Sequence, residues 1–204
     1  NEDGTIRIIM QDGINSNANI AFNSNYNNYT YMYYTNSEAK PQLESWYQTN
    51  IGSKSDLASN VATGNYYCEQ AKAKLEDSYT SGNATMTTYN KYTPDFKCSS
   101  DGNGKGLVNA SVGLLSYDET VYAGGYYGKD NSAYYLYNSV IAWLTMSPSG
   151  FSGSSSNVWR VHISGGIFNL NTNGAIRLRP VLILNTDTQI SDGDGTKNNP
   201  FIVE

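Results

Sequence analysis

Charge is scarce in this chain. Only 15% of its 204 residues are Asp, Glu, Lys or Arg, and Lys and Arg together number 13. The net charge of −5 leaves no basic stripe to neutralise phosphates, which argues against nucleic acid as a partner. Histidine occurs once, at His162, and cysteine twice, at Cys68 and Cys98, with no Cys-x-x-Cys. That supply argues against a structural zinc site, which takes four Cys or His ligands. No Gly-x-Ser-x-Gly elbow is present, so an α/β-hydrolase nucleophile has no seat. No apolar run approaches the ~20 residues that cross a bilayer as a helix, so no membrane insertion is expected of this fragment.

Tyrosine is plentiful, at 18 residues, alongside abundant Asn, Ser and Gly. This is the makeup of adaptable binding surfaces, where Tyr offers large contact area at low entropic cost. It also suits solvent-facing strands and turns of an extracellular β-rich protein. Cys68 and Cys98 read as one disulfide in an oxidising compartment, with two free thiols or a weak metal pair as the alternative. The chain opens on Asn1-Glu2-Asp3-Gly4, without Met or an apolar leader core, and the expectation is a processed or truncated product with leader, anchor or first strand upstream.

Along the chain, residues 2–5 read as a turn and Ile6 to Met10 as a buried strand. Residues 11–36 are polar, with strand-like alternation over residues 29–34. A helix is expected near 37–51, with Ser37 as cap, Leu43, Trp46, Tyr47 and Ile51 on one face, and Gly52 as stop. Residues 53–106 read as an insertion-like excursion stapled by the disulfide, with a short helix over 69–76 and a turn-rich boundary at its end. Ser116-Tyr117-Asp118-Glu119 matches a capping box, and its helix should run to Ala123 before Gly124-Gly125. No repeat or linker interrupts the chain, so one domain over 1–204 is expected.

Candidate chemistry is thin. A catalytic triad needs His162, placed by the sequence on a strand with Val161 and Ile163 on the opposite face, and a structural histidine is the simpler reading. Asp118 and Glu119 are adjacent and so point to different faces, and Glu119 serves the cap, which leaves glycosidic cleavage unsupported. Asp101-Gly102-Asn103-Gly104-Lys105-Gly106 and Asp192-Gly193-Asp194-Gly195 invite calcium, with Asp192 and Asp194 the candidate ligands. Both loops lack the Glu at the twelfth position of a calcium hand, and Asp-Gly turns account for them. Arg160, Arg177 and Arg179 are read as partners of acidic groups in structural ion pairs, with orienting a ligand as the alternative, the latter two sharing one face of a strand over residues 176–184. No catalytic residue and no cofactor are assigned, calcium being the one metal left open.

Several strings are shared with a recognisable group. Gly113-Leu114-Leu115-Ser116-Tyr117-Asp118-Glu119 through Gly124-Gly125, Tyr134-Tyr135-Leu136-Tyr137, Trp143-Leu144-Thr145-Met146-Ser147-Pro148, Arg179-Pro180-Val181 and the Asp192-Gly193-Asp194-Gly195 ending resemble a domain of surface and pilin-type proteins of Gram-positive gut bacteria. The Trp-x-x-x-Ser-Pro and Arg-Pro-Val order also looks like the C-type-lectin-like core of bacterial ligand-binding domains. The formylglycine-generating enzymes have a related core, whose catalytic cysteine pair this chain lacks.

The resemblance implies an α+β, C-type-lectin-like fold, a twisted and mostly antiparallel sheet with about two short helices and long loops. It implies a secreted, non-enzymatic adhesion or recognition domain at the bacterial cell surface, facing a host or microbial ligand, glycan or protein. The alternative is a pilin-type subunit contacting its neighbours in a filament, and a hydrolase comes last. Tyr31, Tyr33, Tyr126, Tyr127 and Trp159 are the loop and strand aromatics expected to make ligand contacts, since aromatic faces stack on sugar rings.

Overall fold

A computed structural model describes residues 5–69, 98, 106–196 and 198–203, together with the backbone of 75–76 and 87–88. The chain runs β1 (Ile6–Ile9), α1 (Ile14–Asn17), β2 (Ile20–Ala21), α2 (Ala39–Tyr47), α3 (Ser55–Ala58), β3 (Tyr66–Cys68), β4 (Leu75–Glu76), β5 (Thr87–Thr88) and β6 (Leu107–Asn109). It continues through α4 (Tyr117–Tyr122), β7 (Tyr126–Tyr127), β8 (Trp143–Phe151), β9 (Ser156–Val161), β10 (Gly166–Asn171), β11 (Ala175–Ile176), β12 (Val181–Leu184), β13 (Ile190–Asp192) and β14 (Ile202–Val203). The class is α+β, with four short helices among the described residues rather than about two, and several small sheets.

The largest sheet has the order β7-β10-β9-β8, antiparallel except for the parallel β7–β10 pair. All nine residues of β8 are buried. Its apolar side chains Trp143, Leu144 and Met146 alternate irregularly with Thr145, Ser147 and Ser149, small residues that permit close approach on both faces. Its second edge is not open either. Leu144 N–H donates to Arg177 O at 3.0 Å and Met146 N–H to Leu115 O at 2.9 Å, so the buried main chain is paired there by two loops. Pro148 cannot donate to a ladder, and the β8–β9 register shifts on either side of it.

The first strand closes on the end of the chain, β1 pairing antiparallel with β12 from Ile6↔Leu184 to Ile9↔Val181. Where the sequence suggests a buried β1, its four residues are half-buried, while its partner Val181–Leu184 is buried throughout. The strand foreseen over 176–184 is two strands, because Leu178, Arg179 and Pro180 pass through the core between β11 and β12.

The aromatic segment 29–34 is not a strand. It forms two 3₁₀ turns, Tyr29–Met32 and Tyr34–Asn36, the first started by Asn28, whose Oδ1 accepts the Thr30 N–H at 2.9 Å. The i, i+3 closure of such turns sends Met32, Tyr33 and Tyr34 inward together, which alternation cannot do. The helix of residues 37–51 is seen as α2, and Ser37 Oγ accepts Lys40 N–H at 3.1 Å. It widens into a π turn over Gln48–Gly52, ending at the expected glycine.

The capping box at Ser116 is complete. Ser116 Oγ accepts Glu119 N–H and Glu119 Oε2 accepts Ser116 N–H, at 3.2 and 2.8 Å. A disulfide joins Cys68 to Cys98 with Cα atoms 5.7 Å apart. Of the helix expected over 69–76, residues 70–74 lie outside the described residues, and Leu75–Glu76 are instead a strand paired with Thr87–Thr88. The opening turn before Thr5 and the Asp101 loop also lie outside them, Gly106 excepted.

Candidate binding site

The five aromatics expected at a contact surface do not form one. Trp159 is 2% exposed and stacks on Tyr117 at 4.6 Å between centroids, with the Tyr127 edge against it at 5.2 Å. Its faces are occupied by the core. Tyr33 is 6% exposed and meets Tyr29 edge-on. Tyr31 and Tyr127 are half-buried, which leaves Tyr126, 42% exposed, as the one of the five at the surface. Burial corrects the reading of Trp159 and Tyr33: they are packing residues.

The polar candidates are likewise engaged. His162 follows β9 in a tight turn closed by Gly165 N–H on His162 O at 2.8 Å, and its Nδ1 lies 3.0 Å from Ser164 Oγ. Val161 is buried and Ile163 exposed, so the two do not share a face as a continued strand would require. Asp118 is buried on α4. Asp192 Oδ1 accepts its neighbour's Gly193 N–H at 2.7 Å and Asp194 Oδ1 accepts Thr196 N–H at 2.9 Å. Bonds from Thr196 hold the Asp194 carboxyl below its usual value. No group of three or more His, Cys, Asp or Glu among the described residues is placed to hold a metal ion.

The arginines differ from expectation. The two ion pairs among the described residues are Arg7–Glu119 and Lys40–Glu44. Arg179, 3% exposed, is held by carbonyls: Nε donates to Met10 O at 2.9 Å and Nη1 to Leu136 O at 3.4 Å. Burial lowers its pKa to about 10. Burial also lowers that of Arg160.

What the structure does bring together is a solvent-open cleft of about 340 Å³ lined by Glu44, Tyr47, Gln48, Asn109, Ala110 and Ser111. One wall is the last turn of α2 and the π turn after it. That widening leaves carbonyls of the last α-helical turn in need of donors. Thr49 Oγ1 donates to Ser45 O at 2.9 Å and Asn50 Nδ2 to Trp46 O at 2.8 Å. Ser53 N–H closes the wide turn on Gln48 O at 3.0 Å. The opposite wall is the end of β6 and the loop after it, where Ala110 N–H and Asn109 Nδ2 both donate to Asn65 O, at 3.2 and 3.1 Å.

Behind that wall stand buried tyrosines. Tyr67 Oη donates to Val181 O at 3.0 Å and reaches Ser111 O at 3.5 Å, and Tyr34 Oη reaches Val112 O at 3.5 Å. Burial raises the pKa of both phenols well above the usual value, so they remain donors at any physiological pH. Apart from Tyr47, legible only as a helix-face residue, none of the cleft residues stands out in the sequence. Their positions are some sixty apart along the chain, and the signal that could have drawn attention is the polar run Gln48-Thr49-Asn50 continuing an apolar helical face. Comparison with protein-family models, with curated proteins and with solved structures finds no match to this chain.

Proposed function

We propose that this chain is an extracellular, non-enzymatic recognition domain of a bacterial cell-surface or pilus-like protein, with a C-type-lectin-like frame. The observation that carries the reading is the cleft between α2 and the loop after β6, a concave and polar-rimmed surface set on braced walls. Its lining has hydrogen-bonding groups and a carboxylate but no nucleophile paired with a base. The Cys68–Cys98 disulfide supports an oxidising compartment. The motif strings around Trp143, Pro148 and Arg179 support the frame, since they fill the core and the β8–β9 junction rather than a site.

The test is binding of the purified chain to host-cell and bacterial surfaces, read by flow cytometry. Saturable binding is expected, and absence of binding to every surface tried overturns the reading.

A filament subunit is the second reading. It is favoured by Tyr122, Tyr135 and Val140, which are 74%, 69% and 71% exposed, apolar surface of the kind that subunit contacts cover. Electron microscopy of the native assembly separates the two, because a subunit buries this domain between neighbours and an adhesin presents it at the tip.

A further inference from the structure

Resting on the recognition reading, we infer that the α2–β6 cleft is a metal-independent site for a neutral, hydroxyl-rich saccharide of roughly one or two sugar rings. Some polar groups of the cleft are already engaged. Glu44 Oε1 is taken by the Lys40 ammonium, which leaves Oε2 to accept. Asn109 commits one Nδ2 hydrogen to Asn65 O, which leaves its Oδ1 to accept and one N–H to donate. Gln48 offers both amide functions and Ser111 its hydroxyl, and both residues are exposed at the rim. The cleft therefore presents acceptors and donors together, with Gln48, Ser111 and Asn109 able to do either. Sugar hydroxyls, which donate and accept from one atom, satisfy such a set.

Charge narrows the class further. An anionic ligand would bring its charge beside the Glu44 carboxylate, and Lys40, the cation that pairs with Glu44, is already engaged by it. A cationic ligand would have to compete with that same lysine. The pair is part-buried, with side-chain exposures of 22% and 41%, so the site presents oriented dipoles and a compensated charge rather than an ion hole. Tyr47 and Ala110 also line the cleft, but at 7% and 9% exposed they serve mainly as packing, so recognition falls to the polar groups at the rim.

The walls are held before any ligand arrives, so little ordering entropy is spent on binding. No residue of the cleft offers a cluster of carboxylates for calcium, which makes chelator resistance a direct expectation.

The experiment titrates the intact chain with lactose, maltose and chitobiose, and in parallel with sialyllactose and digalacturonate, by saturation-transfer NMR and calorimetry, with and without EDTA. Expected is binding of at least one neutral disaccharide with a Kd of roughly 1 mM or tighter, unchanged by EDTA and absent for the acidic sugars. The exposed double change Gln48→Ala with Ser111→Ala should weaken that binding about tenfold or more, from the loss of two hydrogen bonds. Glu44→Gln, which frees Lys40, should admit an acidic sugar. Circular dichroism and an unshifted Tm establish that each variant is folded. Loss of binding on adding EDTA, undiminished binding in the folded double variant, or no neutral sugar bound each overturns the inference. Cell-surface binding that persists in the double variant overturns the cleft assignment alone and leaves the recognition reading standing; its absence in the unaltered chain sinks both.

Discussion

The guanidinium of Arg179 lies over the indole of Trp143, its central carbon 5.1 Å from the ring centroid. Both are buried, and the arginine joins β12 to the chain after β1 through Met10 O and to the loop before β8 through Leu136 O. A planar fork on an aromatic face cannot be reproduced by an ammonium. Arg179→Lys should therefore cost about 2 kcal/mol, the value of a charged hydrogen bond left unmade. Urea denaturation measures it, and a change in midpoint no larger than that of a surface substitution would falsify the role.

Alkaline pH should unfold this protein. Tyr34, Tyr67 and Tyr134 have pKa values raised above the ordinary 10, in each case by burial first. A raised folded value means the native state keeps its proton where the unfolded chain loses it. Stability from these groups is full below about pH 10 and falls as pH rises toward the folded values. Arg179, lowered to about 10 from 12.5, acts with the opposite sign over its own window, but as one group against three. Absorbance at 295 nm should show exposed tyrosines titrating first and the buried set ionising together with loss of near-ultraviolet circular dichroism. A single smooth titration with the fold intact would refute it.

Replacing both Cys68 and Cys98 by Ser should lower stability by about 3–4 kcal/mol, the loop-entropy value for their 30-residue separation. Guanidinium titration of the double variant against the oxidised chain reads the difference.

Glu119 serves two elements at once, accepting Ser116 N–H as part of the cap and pairing with Arg7 on β1. Ser116→Ala should cost about 1 kcal/mol. Glu119→Gln keeps an oxygen for the cap and loses the ion pair, for about 0.5 kcal/mol at this part-buried position. Salt should weaken the unaltered chain relative to the Gln variant, which a thermal melt at two ionic strengths reports.

Gly113 has no room for a side chain: a Cβ there would sit 2.5 Å from Tyr67 Cδ1. Gly113→Ala should cost about 1–3 kcal/mol by overpacking. Because Tyr67 props Ser111 O and Val181 O, the same change should also weaken saccharide binding at the cleft. A destabilised variant that binds with unchanged affinity would disconnect the two.

The elements legible in the sequence are those whose signal is local. Ser116, Glu119 and the glycines after Ala123 specify α4 within ten residues, since a capping box closes on its own neighbours. Leu43 and Tyr47, spaced to share a helix face, specify the buried side of α2. The cysteine pair was readable from its context. Alternation misled at residues 29–34, because 3₁₀ turns bury consecutive residues when a core lies beside them. Trp159 and Tyr33 show the matching limit for function: an aromatic reads the same in sequence whether it faces a ligand or a neighbouring ring. Tertiary structure alone decided that Tyr117 and Tyr127 cover Trp159. It also decided that Gln48 and Ser111 line one cleft. Such contacts depend on how distant segments are packed, and residue spacing carries no record of that.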